Sequence, residues 1–364
     1  MTNSRCQDAL IDQLGFHLSE ATIYGKLVKY RRLDEILREN PIIYNPQEFN
    51  IFIDMTQMLL PLYKFDNIEN PMGVLASMLN IPLHYRHFFN KLKIKSNIFL
   101  IYSSNDSVNN YRYIPSYNSK HKLLIESNKG VKEVIDKNIT LMQTVIPYFP
   151  GIYLKIGTVE PTVIAYDLID KFTRGGHLQS VNLFISSSDY SYQLPAVLKN
   201  VLLIYKKSVM GEDNKTEDIS FGVTTKNALS TYITMKHKQA NLESINEAWI
   251  GPFLILNGLS CRDVKSLFSY TQAIKILKEI SESYKLITPD SIYENIQTKN
   301  KVISKEEIYA RYCALDIDYQ LGLYRQLAES IESNFLKDIY DAQALYNINN
   351  TYFKESNAID IIKL

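Results

Sequence analysis

The chain has 364 residues, of which 46% are hydrophobic and 22% charged, and its formal net charge is +1. This is typical of a globular protein with one large domain or two smaller ones, long enough to bury a substantial core. The near balance of charge excludes a general basic field that would draw the protein onto nucleic acid or an anionic membrane. Any such binding must therefore depend on a local patch.

The three cysteines, Cys6, Cys261 and Cys313, lie far apart in the sequence. Their spacing matches neither a zinc motif nor a disulfide framework, which favours a reducing compartment. No apolar run is long enough to span a bilayer, and the first residues lack the apolar core of a signal peptide. We therefore expect a protein that is neither secreted nor bound to a membrane.

The first predicted elements are helices. Residues 6–38 carry leucine and other apolar residues at helical spacing, and Asn-Pro pairs at 40–41 and 45–46 then break the pattern. The apolar run Phe49–Ile53 follows, ends in Asp54 and predicts a buried strand. The chain thus changes from helical to strand-forming sequence near residue 48.

Strands and helices then alternate. Further strands are predicted at Asn97–Tyr102, Ile152–Ile156, Val181–Ile185 and Val201–Tyr205. Helices are predicted from Pro71 (with Asn70 as the cap), over Lys132–Tyr148, and through Ile164 and Leu168. This alternation predicts an α/β fold with a mainly parallel sheet and helices on both of its faces.

The second half of the chain is predicted to be different. Gly211–Asp218 is polar and predicts a loop, and the sequence from Asn227 onward is mostly helical, with a boundary at Pro289. In a parallel sheet the chemistry lies beyond the carboxyl ends of the strands. We therefore expect a functional edge formed by Asp54, Tyr102, Gly157–Glu160 and Ser186–Tyr190.

Five segments between Phe49 and Ile280 stand out together. They are the strand ending in Asp54, Tyr111–Tyr117 with the lysines behind it, Thr158–Ala165, Ser186–Leu194 and Leu256–Asp263. In order and spacing they resemble segments of the 5′-nuclease (flap endonuclease) superfamily, which has a PIN-like fold, and most closely its bacteriophage ribonuclease H type. Leu256–Asp263 is similar to the loop of that family's helical DNA clamp.

The family's metal-binding carboxylates are mostly replaced in this chain. Asp54 and Glu160 remain, whereas the replacements are Tyr102 or Ser103, Thr162, Val163, Ser188, Tyr190, Leu259 and Arg262. The resemblance implies two-metal phosphodiester hydrolysis, and Mg²⁺ prefers carboxylate ligands to neutral hydroxyl groups. We therefore expect no metal cofactor, and Mg²⁺ only if the protein is active.

The surviving acids allow two interpretations. A bulge could bring Asp189 to the position of Ser188, although Gln193-Leu194 argues against that frame, and Asp54, Glu160 and Asp189 would then form one weak metal site. Alternatively, Asp54 caps the helix after its strand, and Glu160 is a carboxylate at a helix start.

The basic residues behind the second strand are candidates for nucleic-acid binding. The resemblance implies that Arg112, Lys120 and Lys122 contact phosphate, while a solvated basic loop is the alternative. The small basic run Lys236–Lys238 is interpreted as a solvated surface.

We divide the chain into an N-terminal helical extension (1–48), a nuclease-like α/β core (49–207), a helical clamp-like region (208–300) and a C-terminal helical segment (301–364). The function we predict is that of a catalytically degenerate nuclease-like protein of phage or viral origin, in the host cytoplasm or the virion. It would bind DNA or RNA through a local patch, or assemble with protein partners in a larger complex. The alternatives are an active metal-dependent 5′–3′ exonuclease or flap endonuclease with a reduced ligand set, and a purely structural virion component.

Overall fold

The computed structural model describes residues 48–91, 95–103, 113–175, 180–198, 201–210, 217–224, 227–237, 245–284, 286–298 and 302–328. The helices predicted over residues 6–38, the two Asn-Pro breaks and the residues beyond 328 lie outside these ranges.

The described strands form one sheet in the order β3-β2-β1-β4-β5-β6. The strands are β1 (Glu48–Asp54), β2 (Lys95–Ser103), β3 (Ile152–Gly157), β4 (Ser180–Ile185), β5 (Val201–Met210) and β6 (Glu217–Thr224). The pairings from β3 through β5 are parallel, whereas β5 and β6 pair antiparallel. The predicted mainly parallel α/β sheet is confirmed.

Helices lie between the strands and follow the sheet. They are α1 (Met55–Leu59), α2 (Pro71–Lys91), α3 (Ser119–Ser127), α4 (Lys129–Val145), α5 (Pro161–Arg174), α6 (Leu194–Val197), α7 (Ala228–His237), α8 (Ile250–Asn257), α9 (Tyr270–Ser283), α10 (Pro289–Gln297), α11 (Lys305–Leu315) and α12 (Ile317–Ala328). Short 3₁₀ helices cover Leu60–Lys64, Ile146–Tyr148, Asp189–Gln193, Glu247–Trp249 and Ser260–Arg262. None of the described helices is both long and apolar enough to cross a membrane.

The sheet separates two apolar cores because successive side chains of a strand point to opposite faces. Ile51 of β1 packs into the core beneath α2 and α4, while Phe52 packs into the core that also contains α5 and the later helices. Phe52 stacks on Phe99 of β2, with ring centroids 4.8 Å apart. The second core continues into the helical half of the chain and so joins the two halves.

A row of three asparagines crosses the amino-terminal part of the sheet. Asn50 is in register with Asn97 on one side and Asn182 on the other. The Asn97 amide donates to Asn50, and the Asn50 amide donates to Asn182, both at 3.1 Å. All three side chains are buried. These bonds satisfy polar groups that would otherwise be buried at a cost.

The local signals at helix starts are confirmed. Asn70 accepts a hydrogen bond from the backbone N of Gly73 at 2.9 Å, and α2 begins at Pro71. Thr288 forms a capping box with Ser291, and α10 begins at Pro289. Polar caps of this kind satisfy the free N–H groups of the first helical turn.

β6 was not predicted. The predicted loop Gly211–Asp218 ends inside this strand, whose first residues are Glu217 and Asp218, and β5 extends to Met210. In the described sheet, β6 pairs with β5 alone. A strand paired on one side does not need the continuous apolar run by which buried parallel strands are recognised.

Candidate functional site

Polar side chains meet at the carboxyl edge of the sheet. Asp54 is the last residue of β1, Ser186 and Ser188 follow β4, and Glu160 precedes α5. A loop of the helical half brings Arg262 to the same place. The predicted meeting of Asp54, Glu160 and the serine segment at one edge is therefore observed, with an arginine among them.

Asp54 uses both carboxylate oxygens in hydrogen bonds. Oδ1 accepts from the backbone N of Gln57 at 3.1 Å, which caps α1, and Oδ2 accepts from Ser186 Oγ at 2.7 Å. Burial raises the pKa of Asp54 to about 6, although these two hydrogen bonds and the nearby Arg262 charge act to lower it. Asp54 therefore holds a proton more readily than an ordinary aspartate.

Glu160 forms a two-point ion pair with Arg262. Arg262 Nε donates to Oε1 and Nη2 donates to Oε2, both at 2.7 Å, and the two side chains are only 2% and 4% exposed. Tyr117 donates its hydroxyl to Glu160 Oε1 at 2.6 Å. This parallel arrangement is the strongest geometry that a guanidinium and a carboxylate adopt.

The electrostatics of this pair keep both groups ionised. Burial by itself raises the pKa of Glu160, but the charge and hydrogen bonds of Arg262 and the hydroxyl of Tyr117 bring it below its ordinary value. Burial likewise lowers the pKa of Arg262, and Glu160 outweighs this effect and raises it well above its ordinary value. Each group therefore stabilises the charge of the other.

Arg262 also connects Glu160 to the remaining polar groups. Its Nη2 donates to Ser188 Oγ at 3.1 Å, and the backbone N of Ser188 donates to Ser186 Oγ at 3.1 Å. With the Gln57 amide oriented so that its oxygen faces the guanidinium, that oxygen accepts from Nη1 and Nη2 at 3.0 Å each. A closed ring of hydrogen bonds thus runs from Asp54 through Ser186, Ser188, Arg262 and Gln57 back to Asp54.

The shape of the loop 258–264 directs Arg262 inward. Gly258 has φ +76°, and a Cβ at this position would lie 2.5 Å from the carbonyl oxygen of Val264, so the turn needs glycine. Leu259 is buried and bridges to Val264, while Asp263 adopts the left-handed conformation with φ 58°. These constraints place consecutive residues Arg262 and Asp263 on opposite sides of the loop.

Asp263 hydrogen-bonds the outer side of the loop to the start of α3. Its carboxylate accepts from the backbone N of Lys120 at 2.8 Å and from Ser119 Oγ at 3.3 Å. The backbone N of Asn118 donates to the carbonyl of Arg262 at 2.7 Å. Burial raises the pKa of Asp263, but its bonds to Lys120 bring it below the ordinary value. The loop is held on both sides.

The other replaced positions are part of the core or its borders. The buried side chains among them are Tyr102, Ser103, Thr162, Val163, Tyr190 and Leu259. Tyr102 lies in the core beneath α4, where its hydroxyl donates to Asp136 at 3.4 Å. The backbone N of Ser103 donates to Thr56 Oγ1 at 2.7 Å.

Asp189 lies outside the ring. It begins the 3₁₀ helix that follows Ser188, and Lys236 Nζ is 2.6 Å from its Oδ2, close enough for an ion pair though not aligned as a hydrogen bond. Gln193, which fixes the frame of this segment, bonds to the junction of α11 and α12. Within the described ranges, no three acidic, histidine or cysteine side chains are grouped so that they could hold a metal ion.

Acids accompany the candidate phosphate-binding lysines. Lys120 Nζ lies 3.2 Å from Asp263 Oδ1, and Lys122 Nζ lies 3.9 Å from Glu126 Oε1. Both lysine side chains are mostly exposed. Arg112, the third candidate, lies outside the described residues.

The sequence interpretation named Arg262 only as a replaced aspartate and did not place it in the site. The available signal was the residue type, since an arginine at an expected carboxylate position reverses the local charge. Gln57 was missed because it is neutral and belongs to no recognisable motif. Tyr117 was named only as the end of the segment Tyr111–Tyr117, and no role in the site was assigned to it.

Comparison with solved structures identifies the fold. A bacteriophage T5 flap endonuclease, described as a pseudo-enzyme–product complex with DNA and metal ions, superposes with a TM-score of 0.53 at 12% identity, over 81% of this chain and 99% of that chain. A second structure from phage T5, co-crystallised with metal ions, gives 0.52 at 11% identity over the same shares. No family model matches the sequence, and no curated protein sequence is significantly similar.

The described residues therefore share the PIN-like fold of these phage T5 flap endonuclease structures, which is the fold that the sequence resemblance predicts. Identity this low concerns the arrangement of the backbone and not the chemistry of the edge. The chemistry of the carboxyl edge depends on the side chains that lie there.

Proposed function

We propose that this chain is a catalytically inactive protein with a 5′-nuclease fold, serving as a nucleic-acid-binding or assembly subunit of a larger phage or viral complex. The observation that carries the proposal is the buried pairing of both Glu160 oxygens with Arg262, at 2.7 Å each. The carboxylate is thereby fully engaged by a cation of the protein itself.

The groups at this edge do not fit a pair of divalent ions. Glu160 is neutralised by Arg262, and the two oxygens of Asp54 already accept from Gln57 and Ser186. The other oxygens of the ring belong to neutral serine and glutamine side chains, which are poor ligands for Mg²⁺. A divalent ion beside the guanidinium would add positive charge to a buried position that is already compensated.

Nucleic-acid binding is the first of the two roles we propose. The flap endonuclease of similar fold is described with DNA. In this chain Lys120 and Lys122 extend into solvent, and Arg112 is the third member of the proposed patch. The acids beside the two lysines reduce the local positive charge, so we expect weak, salt-sensitive binding of DNA or RNA.

Assembly is the second role. The nuclease-like core (49–207) contains strands β1 to β4 and most of β5, and we propose that the predicted helical segments at residues 1–48 and 301–364 provide contacts with protein partners. Phage neighbours in fold support a phage or viral source. A structural virion component without nucleic-acid contact is a special case of this role.

A cleavage assay tests the absence of catalysis. The full chain is incubated with a labelled flapped duplex and Mg²⁺ or Mn²⁺, beside an active flap endonuclease as the positive control and Asp54→Asn as the matched variant. We expect intact substrate with both forms of this protein. Cleavage by the wild type that disappears in Asp54→Asn would overturn the proposal and establish a metal-dependent nuclease with a reduced ligand set.

A binding titration separates the two roles. A nucleic-acid-binding module loses affinity steeply as salt rises, because phosphate contacts release counterions. We expect such a slope, and we expect Lys120→Ala together with Lys122→Ala to weaken binding to flapped and single-stranded DNA alike. If the protein shows no saturable binding of DNA at low salt, the nucleic-acid-binding role is excluded and only the assembly role remains.

A further inference from the structure

We propose that Arg262 is the permanent counter-ion of the carboxyl edge: its guanidinium takes the charge-neutralising place that divalent ions hold in a metal-dependent site of this fold, and it makes the folded state independent of metal. This inference rests on the proposed function, since a catalytic metal pair would exclude it. It assigns to Arg262 the role of compensating the buried carboxylate charge.

The guanidinium of Arg262 is surrounded by oxygen atoms. Arg262 reaches Glu160 with Nε and Nη2, Ser188 with Nη2, and Gln57 with Nη1 and Nη2. All three of its guanidinium nitrogens therefore contact carboxylate, hydroxyl or amide oxygens from three segments of the α/β core. A divalent cation would be surrounded by oxygen atoms in a similar way, so the guanidinium satisfies the same kind of ligand set.

Arg262 also balances the charge of the buried carboxyl groups. The ring contains two carboxyl groups, Asp54 and Glu160, and one guanidinium, all buried. Burial favours the protonated form of Asp54, and the Arg262 charge compensates Glu160. The net charge of the three groups is therefore zero while Asp54 holds its proton and −1 once it ionises, whereas without Arg262 two buried carboxylates would repel each other.

The loop that carries Arg262 is fixed by further hydrogen bonds. Arg262 lies on a loop whose other side is fixed to α3 by Asp263, and its own carbonyl accepts from Asn118. Tyr117, one residue before Asn118, donates to Glu160. Arg262 therefore contacts the sheet edge through its guanidinium and the segment before α3 through its backbone carbonyl, and Arg262→Ala removes only the first of these contacts.

The experiment measures thermal stability and Mn²⁺ binding together. Wild type, Arg262→Ala and the double variant Arg262→Ala/Glu160→Gln are melted in EDTA and in excess Mn²⁺, and bound Mn²⁺ is counted from the loss of the free-ion EPR signal. We expect the wild-type Tm to be the same in both buffers, with no bound ion. For Arg262→Ala we expect a Tm lower by roughly 5–10 °C in EDTA, partial recovery with Mn²⁺, and loss of that recovery in the double variant.

Arg311 supplies the matched control, because it is a second buried arginine with a different environment. It pairs with Glu307 at 3.2 Å and donates to the carbonyls of Ile255 and Lys265. Arg311→Ala should also lower the Tm, but Mn²⁺ should not restore it. Arg262→Lys serves if the alanine variant does not fold, since lysine keeps the charge but loses the two-point contact and should give an intermediate Tm without bound Mn²⁺.

Three results would overturn the proposal. One is saturable Mn²⁺ binding by the wild type that Glu160→Gln abolishes, because the ion would then coexist with Arg262. Another is Arg262→Ala with lowered Tm but no bound Mn²⁺, which would reduce the residue to an ordinary ion-pair partner. The third is an Arg262→Lys protein as stable as the wild type. Cleavage of flapped duplex by the wild type would instead overturn the proposed function, so the two failures are distinguishable.

Discussion

The two ends of the central strands carry buried polar residues, and they are satisfied in different ways. At the amino end Asn97, Asn50 and Asn182 bond to one another along the sheet. At the carboxyl end the charge of Glu160 is met by Arg262, which is 102 positions away in the sequence.

The difference shows what each kind of polar group requires. A neutral amide is both donor and acceptor, so a row of amides in register can satisfy itself. A buried carboxylate only accepts, and it needs a proton or a cation from elsewhere. At the carboxyl edge the cation comes from the loop 258–264, and this requirement ties the helical half of the chain to the sheet.

The largest expected effect comes from Glu160→Gln. Arg262 would remain buried without a charged partner, which costs about 3–5 kcal/mol of unfolding free energy. Urea denaturation of the full chain measures the change. Glu126→Gln, which removes the exposed partner of Lys122, is the control and should cost less than about 1 kcal/mol. Equal losses in the two variants would contradict the importance of the buried pair.

The next effect tests the amino end. Asn50→Ala removes the middle of the row and leaves the Asn97 amide N–H and the Asn182 carbonyl oxygen without their bonds to residue 50. We expect a loss of about 1–3 kcal/mol, because two buried hydrogen bonds are removed. Asn138→Ala, at a buried asparagine whose Nδ2 bonds to the Pro71 carbonyl, should cost less. A smaller loss for Asn50 than for Asn138 would show that the row contributes little.

The stability of Asp54→Asn relative to the wild type should depend on pH. The folded pKa of Asp54 is about 6 and the ordinary value is 3.8, so its proton favours folding below pH 3.8 and this contribution is lost as the pH rises through 6. Asparagine does not titrate, but its amide nitrogen cannot accept one of the two hydrogen bonds from Gln57 N and Ser186 Oγ, which is a cost at every pH. The unfolding free energy of the variant should therefore lie below that of the wild type near pH 4 and rise relative to it by at most about 3 kcal/mol above pH 6. Thermal melts across this range measure it, and a difference that does not change with pH would contradict the raised pKa.

The smallest effect is expected on the outer rim of the site. Lys120 pairs with Asp263, but its side chain is 84% exposed. Lys120→Ala should change the unfolding free energy by less than about 1 kcal/mol, since solvent screens such pairs. Asp263→Ala should cost more, because it also removes the acceptor for the backbone N of Lys120. Denaturation of both variants measures the two losses of unfolding free energy. A larger loss for Lys120→Ala than for Asp263→Ala would show that the lysine side chain contributes more to stability than the bonds of Asp263.

Much of the fold was predictable because it depends on short-range patterns. The strand ending in Asp54, the helix starting at Pro71 and the later parallel strands follow from apolar runs and capping residues. β6 was missed because, within the described sheet, it pairs with β5 alone, and its sequence carries no continuous apolar run. The row of asparagines had a readable signal, the repeated Asn-Ile-Phe at 50–52 and 97–99 and Asn-Leu-Phe at 182–184, but it has meaning only once the three strands are known to be adjacent.

The sequence by itself determined the α/β pattern and the order of segments that resemble a 5′-nuclease, and it carries non-acidic residues at most positions where that resemblance implies carboxylates. The tertiary structure decided what replaces them, because the partner of Glu160 is set by distance in space and not along the chain. A loop closed at Gly258 and held by Asp263 turns Arg262 into the site. No periodicity or local propensity encodes that contact, since the Coulomb and hydrogen-bond energy between the two charges exists only after the halves of the protein have packed together.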